Sequence, residues 1–170
     1  VTLRYADDVV RREVMARVMA EHGSAASVYV FGAGHVGRVL AQILSLLPVK
    51  VEVIDTRQEE LDRLPAGIPH RRVAMPEAVV RSAPVGSAYV ILTHDHALDF
   101  LIANEALGRF DCPYVGMVGS RTKRAKFASW YMEQGGDRVD LDRLILPIGT
   151  QGLGDKRPSV IAALAAAEIM

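Results

Sequence analysis

Gly32-Ala33-Gly34-His35-Val36-Gly37 has the glycine spacing G-x-G-x-x-G, directly after the apolar run Val28–Phe31 and before the periodic run Val36, Leu40, Ile43, Leu44, Leu47. A strand, a tight turn and a helix start in that order make an anion cradle. Gly32 allows the turn out of the strand, Gly34 lets a phosphate approach backbone N–H groups, and Gly37 lets the helix pack on the strand. The helix start adds N–H donors without intrahelical partners and the positive end of the helix dipole, with His35 beside them. Alone the spacing is weak, because glycine-rich turns are common; its context points to phosphate or dinucleotide-type binding. Asp55 closes the next strand, Val49–Asp55, 18 residues past Gly37. There a carboxylate can accept hydrogen bonds from ribose hydroxyls, or simply cap the short helix after it. Arg57, two residues on, weakens the argument that Asp55 would turn away a 2′-phosphate.

Two further strand ends carry polar groups. Tyr89–Leu92 runs into Thr93-His94-Asp95-His96, and Tyr114–Val118 runs into Gly119-Ser120-Arg121-Thr122-Lys123-Arg124. His94 and His96 raise the thought of a metal. They leave a strand and enter a helix, however, and no clear third ligand accompanies them, so no metal site is expected. Asp95 suits a helix cap, as does Ser120 or Thr122. Cations at the start of a helix oppose its dipole, so Arg121, Lys123 and Arg124 suggest either an anion in the pocket or a basic exposed face. His70-Arg71-Arg72 reads as a solvated strand end.

The elements that must position these groups alternate strand and helix, which predicts a three-layer α/β, Rossmann-like domain with a mainly parallel, doubly wound sheet. Strand order 3-2-1-4-5 puts the fourth strand beside the first, so Thr93, His94 and His96 face the same crevice as Gly34. The helix after His96 is expected to turn Ala97, Leu98, Leu101, Ile102 and Leu107 toward the sheet. Leu144-Ile145-Leu146 reads as a last short strand. After it, Gly149, Gly152 and Gly154, with Lys156 and Arg157, form either a lid or an ordinary connection to the closing helix at Pro158. Residues 27–170 make up this domain. Residues 1–26 hold an amphipathic helix (about 1–22) that either covers the sheet or is the remnant of a linker.

A chain of 170 residues suits one domain with a real core. Twenty basic and twenty acidic residues cancel, which argues against non-specific nucleic-acid binding. The lone cysteine, Cys112, excludes an internal disulfide and fits a reducing compartment. No apolar run reaches membrane-spanning length and no signal peptide is visible, so the expected location is the cytoplasm.

Taken together, Phe31–Gly37, Ile54-Asp55-Thr56-Arg57, Leu92–Asp99, Tyr114–Lys123 and Pro147-Ile148-Gly149 follow one another in the order seen in the xanthine dehydrogenase accessory protein family (XdhC/CoxI). The sequence resembles that family's carboxyl-terminal Rossmann domain over about residues 27–170. The resemblance implies binding of molybdenum cofactor (molybdopterin), its protection during sulfuration, and its delivery to xanthine dehydrogenase or a related molybdenum hydroxylase. A cysteine desulfurase is a further partner it implies, and a homodimer is left open. The matching positions are Gly32, Gly34, His35, Gly37, Asp55, Thr93, His94, His96, Gly119, Ser120, Arg121 and Lys123, none with an assigned catalytic task. The family's usual amino-terminal domain, with its cysteine, is not among these 170 residues, and Leu146 stands where a cysteine often precedes Pro-Ile-Gly. Both features speak against direct molybdenum or sulfur ligation. The rival readings are an NAD(P)-dependent oxidoreductase with His94 or His96 as acid or base, for which little chain remains as a substrate domain, and a nucleotide-binding module.

Overall fold

The computed structural model describes residues 26–149 and 155–170. The helix expected over residues 1–22 lies outside them, as do Gly152 and Gly154. The described chain forms six parallel strands in the order β3-β2-β1-β4-β5-β6. They are β1 (Ala26–Phe31), β2 (Val49–Asp55), β3 (His70–Arg72), β4 (Ala88–Ile91), β5 (Val115–Met117) and β6 (Leu144–Ile145). The helices are α1 (His35–Ser45), α2 (Gln58–Leu61), α3 (Pro76–Ser82), α4 (His96–Leu107), α5 (Arg121–Glu133), α6 (Arg138–Asp142) and α7 (Pro158–Ile169). The expected order holds, and β6 extends it beside β5.

Parallel strands covered on both faces read as continuous apolar runs rather than as alternation. β4 shows why: Ala88, Tyr89, Val90 and Ile91 are all buried. Val28, Val30, Val53 and Val90 face one helical layer, built mainly from α1 and α7. Phe31, Ile54, Tyr89 and Ile91 face the other, built from α3, α4 and α5. Reversal of the strand order at β1 and β4 opens the crevice at their carboxyl ends, where ligands bind in such sheets.

One expected helix face is corrected. On α4 the buried stripe is Asp99, Ile102, Ala103, Ala106 and Leu107. Ala97 and Leu101 are exposed and Leu98 is half-buried. A carboxylate counts as an outward residue in any hydrophobicity pattern. Here Asp99 is wholly buried, and including it rotates the helix by the difference.

Candidate functional site: the carboxyl edge of the sheet

The β1–α1 turn is held by close contacts that only glycine permits at positions 32 and 37. Gly32 has φ +121°, and a Cβ there would lie 2.2 Å from the Leu92 carbonyl oxygen. A Cβ on Gly37 would lie 1.9 Å from the Gly32 carbonyl oxygen, so α1 sits directly on the turn. Gly34 is different. A Cβ there would meet nothing within 4 Å, and Gly34 is the N-cap of α1 with no side chain to cap it. The first N–H groups of α1 therefore have no side chain at the N-cap to accept from them. His35 follows, exposed.

Two side chains fix this turn from opposite sides. Ala33 N–H donates to Asp55 Oδ2 at 2.8 Å, and the Ala33 carbonyl accepts from Arg38 at 2.8 Å. Arg38 also pairs with Glu60 of α2 at 2.8 Å. Asp55 in turn accepts from the Arg57 backbone N–H at 3.0 Å and from its guanidinium twice at 3.1 Å. Burial alone would raise the Asp55 carboxyl, but the Arg57 guanidinium, with the Ala33 and Arg57 N–H groups, outweighs it and holds it below the ordinary carboxylate range. Asp55 thus stands where the sequence placed it, and both its oxygens are occupied by the protein itself.

The end of β4 and the end of β5 are joined by a buried ion pair. Lys123 Nζ donates to Asp99 Oδ2 at 2.5 Å and to the Val118 carbonyl at 2.9 Å. Thr93 donates to Asp99 Oδ1 through its N–H at 2.9 Å and its hydroxyl at 2.7 Å. Gly119 makes room for this: a Cβ there would lie 2.6 Å from Lys123 Cδ. Asp95 caps α4 through the N–H groups of Ala97 and Leu98, and Ser120 caps α5 through that of Lys123. His94 and His96 sit exposed on the outside of the same connection. Among the described residues, no three His, Cys, Asp or Glu side chains converge as metal ligands would.

All twelve expected site residues therefore lie along one edge, at the ends of β1, β2, β4 and β5. They do not share one cavity. A groove of about 550 Å³ opens between α4 and α5, and of the twelve it takes His96, Ser120 and Lys123 into its wall. Gly34, His35 and His94 are not part of that wall. The cations of α5 also divide: Arg121 is exposed, Lys123 is committed to Asp99, and Arg124 donates to the Leu144 and Leu146 carbonyls. Sequence reasoning missed Arg38 and Asp99. The signal for Asp99 was present: an acid at the fourth position of α4, where its i+3 and i+4 neighbours are Ile102 and Ala103 of the buried stripe.

The start of the expected lid is anchored. Gly149 N–H donates to Glu168 of α7 at 3.0 Å, and the Tyr114 hydroxyl donates to the same carboxylate at 3.2 Å. Gly149 itself has φ +64°, with Ile161 backbone beneath it. Cys112 is buried, its thiol against the Tyr114 carbonyl, at the opposite edge of the sheet.

A crystal structure of a Bacillus halodurans protein described as a xanthine dehydrogenase shares this fold, with a TM-score of 0.69 at 20% identity. The likeness covers 85% of the present chain and 41% of that protein, so this chain spans less than half its length. No protein of curated function matches the sequence. The profile of the XdhC Rossmann domain matches residues 28–169, nearly the whole described fold, and the chain belongs to that family.

Proposed function

We propose that this domain binds molybdenum cofactor by its phosphate at the β1–α1 turn and serves xanthine dehydrogenase or a related molybdenum hydroxylase as an accessory protein. The observation that carries the reading is the open space at Gly34 above an uncapped helix start, in a member of the XdhC Rossmann family. A phosphate at that place would accept from the first N–H groups of α1 and meet the positive end of the helix. Gly32 and Gly34 would hold it by backbone alone, and His35 is exposed beside it. The bound cofactor supplies the dithiolene that ligates molybdenum. Asp55 and Arg38, gripping Ala33 from its two sides, keep the cradle preformed, so little ordering cost falls on the ligand.

The arrangement of Asp55 supports this reading over an NAD-linked one. A ribose diol would have to displace Arg57 from both carboxylate oxygens before it could bind. The test is a binding comparison with purified protein. The expected result is retention of molybdopterin, read as its fluorescent oxidation product, at micromolar or tighter affinity, with no turnover of NADH or NADPH. Gly34→Val should abolish retention while leaving the fold intact, since the added side chain fills only the cradle. Tight NADH binding without pterin retention overturns the proposal.

A further inference from the structure

The groove between α4 and α5 has a composition that the phosphate cradle does not explain. Its apolar wall is Phe100, Leu101 and Trp130. Phe100 and Trp130 are half-buried with ring centroids 5.5 Å apart, and both rest on Phe127, which is fully buried. The aromatic surface is thus rigid from beneath and open above. Its polar wall is Lys126, Lys123, His96 and the hydroxyls of Ser120 and Thr122. None of the described residues lining it is acidic. Lys123 has three N–H donors, of which Asp99 and Val118 take two, leaving one for the groove. A volume of about 550 Å³ is that of a small-molecule site.

We propose that this groove binds a planar heteroaromatic acid of one or two fused rings, stacked on Phe100 and Trp130 with its anionic group at Lys126 and Lys123. Stacking uses the π-face of any flat ring, while the two lysines require negative charge. The proposal goes beyond the cofactor reading: α1 and α5 cover opposite faces of the sheet, so the ring acid of the groove is a second ligand and not the pterin whose phosphate would sit at Gly34.

Trp130 is the sole tryptophan of the chain, so its emission reports on this groove alone. The experiment titrates the protein with pterin-6-carboxylate and follows quenching of tryptophan fluorescence, beside a separate measurement of molybdopterin retention. Lys126→Glu and Leu101→Glu alter exposed positions at the groove and leave the core untouched. Each should weaken pterin-6-carboxylate binding by about tenfold or more, Lys126→Glu by removing a charge-assisted contact and Leu101→Glu by setting a carboxylate beside the bound acid. Lys50→Glu, the same charge change at an exposed position of β2, should leave it unaltered. Saturable quenching that only the groove variants weaken supports the proposal. That result without molybdopterin retention sinks the cofactor reading and leaves the groove proposal standing. Molybdopterin retention with no quenching, or equal effects of all three variants, overturns the groove and leaves the cofactor reading standing. Neither retention nor quenching overturns both.

Discussion

The Asp99–Lys123 pair is the most exacting place to test the geometry. Asp99 is fully buried, and the Lys123 side chain keeps 9% of its exposure, on the groove side. Lys123→Met leaves the Asp99 carboxylate buried with only the two Thr93 donors and strips the Val118 carbonyl of its lysine. Removing one partner of a buried pair costs about 3–5 kcal/mol. In a chain of this size that is a fall in Tm of about 6–20 °C. Asp99→Asn should cost less, about 1–2 kcal/mol. Asn still accepts from Thr93, and Lys123 can swing its head into the groove. The double variant has no uncompensated charge and should cost about 1–3 kcal/mol, so the singles and the double differ by a coupling of about 2–4 kcal/mol. Urea unfolding of all four proteins, followed by circular dichroism, measures it. Additive single effects, with a coupling under about 0.5 kcal/mol, would refute the claim that this pair ties the ends of β4 and β5 together.

Gly37→Ala should destabilise the domain by about 2 kcal/mol or more despite alanine's better helix propensity, because the new methyl meets the Gly32 carbonyl at 1.9 Å; thermal melting checks this. Acid titration should show Asp55 at work. Its folded carboxyl lies below the ordinary value, so its stabilisation is complete above about pH 4 and fades as the pH falls through the folded value. Asp55→Asn should therefore be less stable than wild type at pH 7, by about 1.5–3 kcal/mol, and lose less on acidification, as read from urea midpoints across pH 2–7. A wild-type acid limb unchanged by the substitution would show that Asp55 contributes nothing there.

Much of the fold was legible because the strands are buried on both faces and bounded by glycine, proline and capping residues. β1, β2, β4 and β5 stand within one or two residues of their expected limits, and the Asp95 and Ser120 caps were readable from residue type and place. The glycine turn was legible for the same reason: Gly32 and Gly37 answer to sterics that act within one βα unit. What escaped the sequence depends on partners far along the chain. Arg38 looks like any exposed helix cation until Glu60 and the Ala33 carbonyl are beside it. The charge of Lys123 looked free for a ligand, and only its long-range partner Asp99 shows that most of its bonding capacity is already used. The sequence also assumed that residues at neighbouring strand ends share a pocket. Helices α1 and α5 start on opposite faces of the sheet, and that separates the Gly34 cradle from the groove.

β1 is the first strand of the described chain and lies in the middle of the sheet, between β2 and β4. Its second edge waits for Ala88–Ile91, whose partners Val28–Phe31 leave the ribosome some sixty residues earlier. The layer over Val28 and Val30 waits longer still, since α7, which packs on α1, comes after every strand of the described chain. Until both have emerged, a nascent chain carries an unpaired apolar ribbon, and sticky edges of that kind recruit other strands. Chaperone demand during synthesis follows from the central place of β1 in a sheet whose other described strands all come later in the chain.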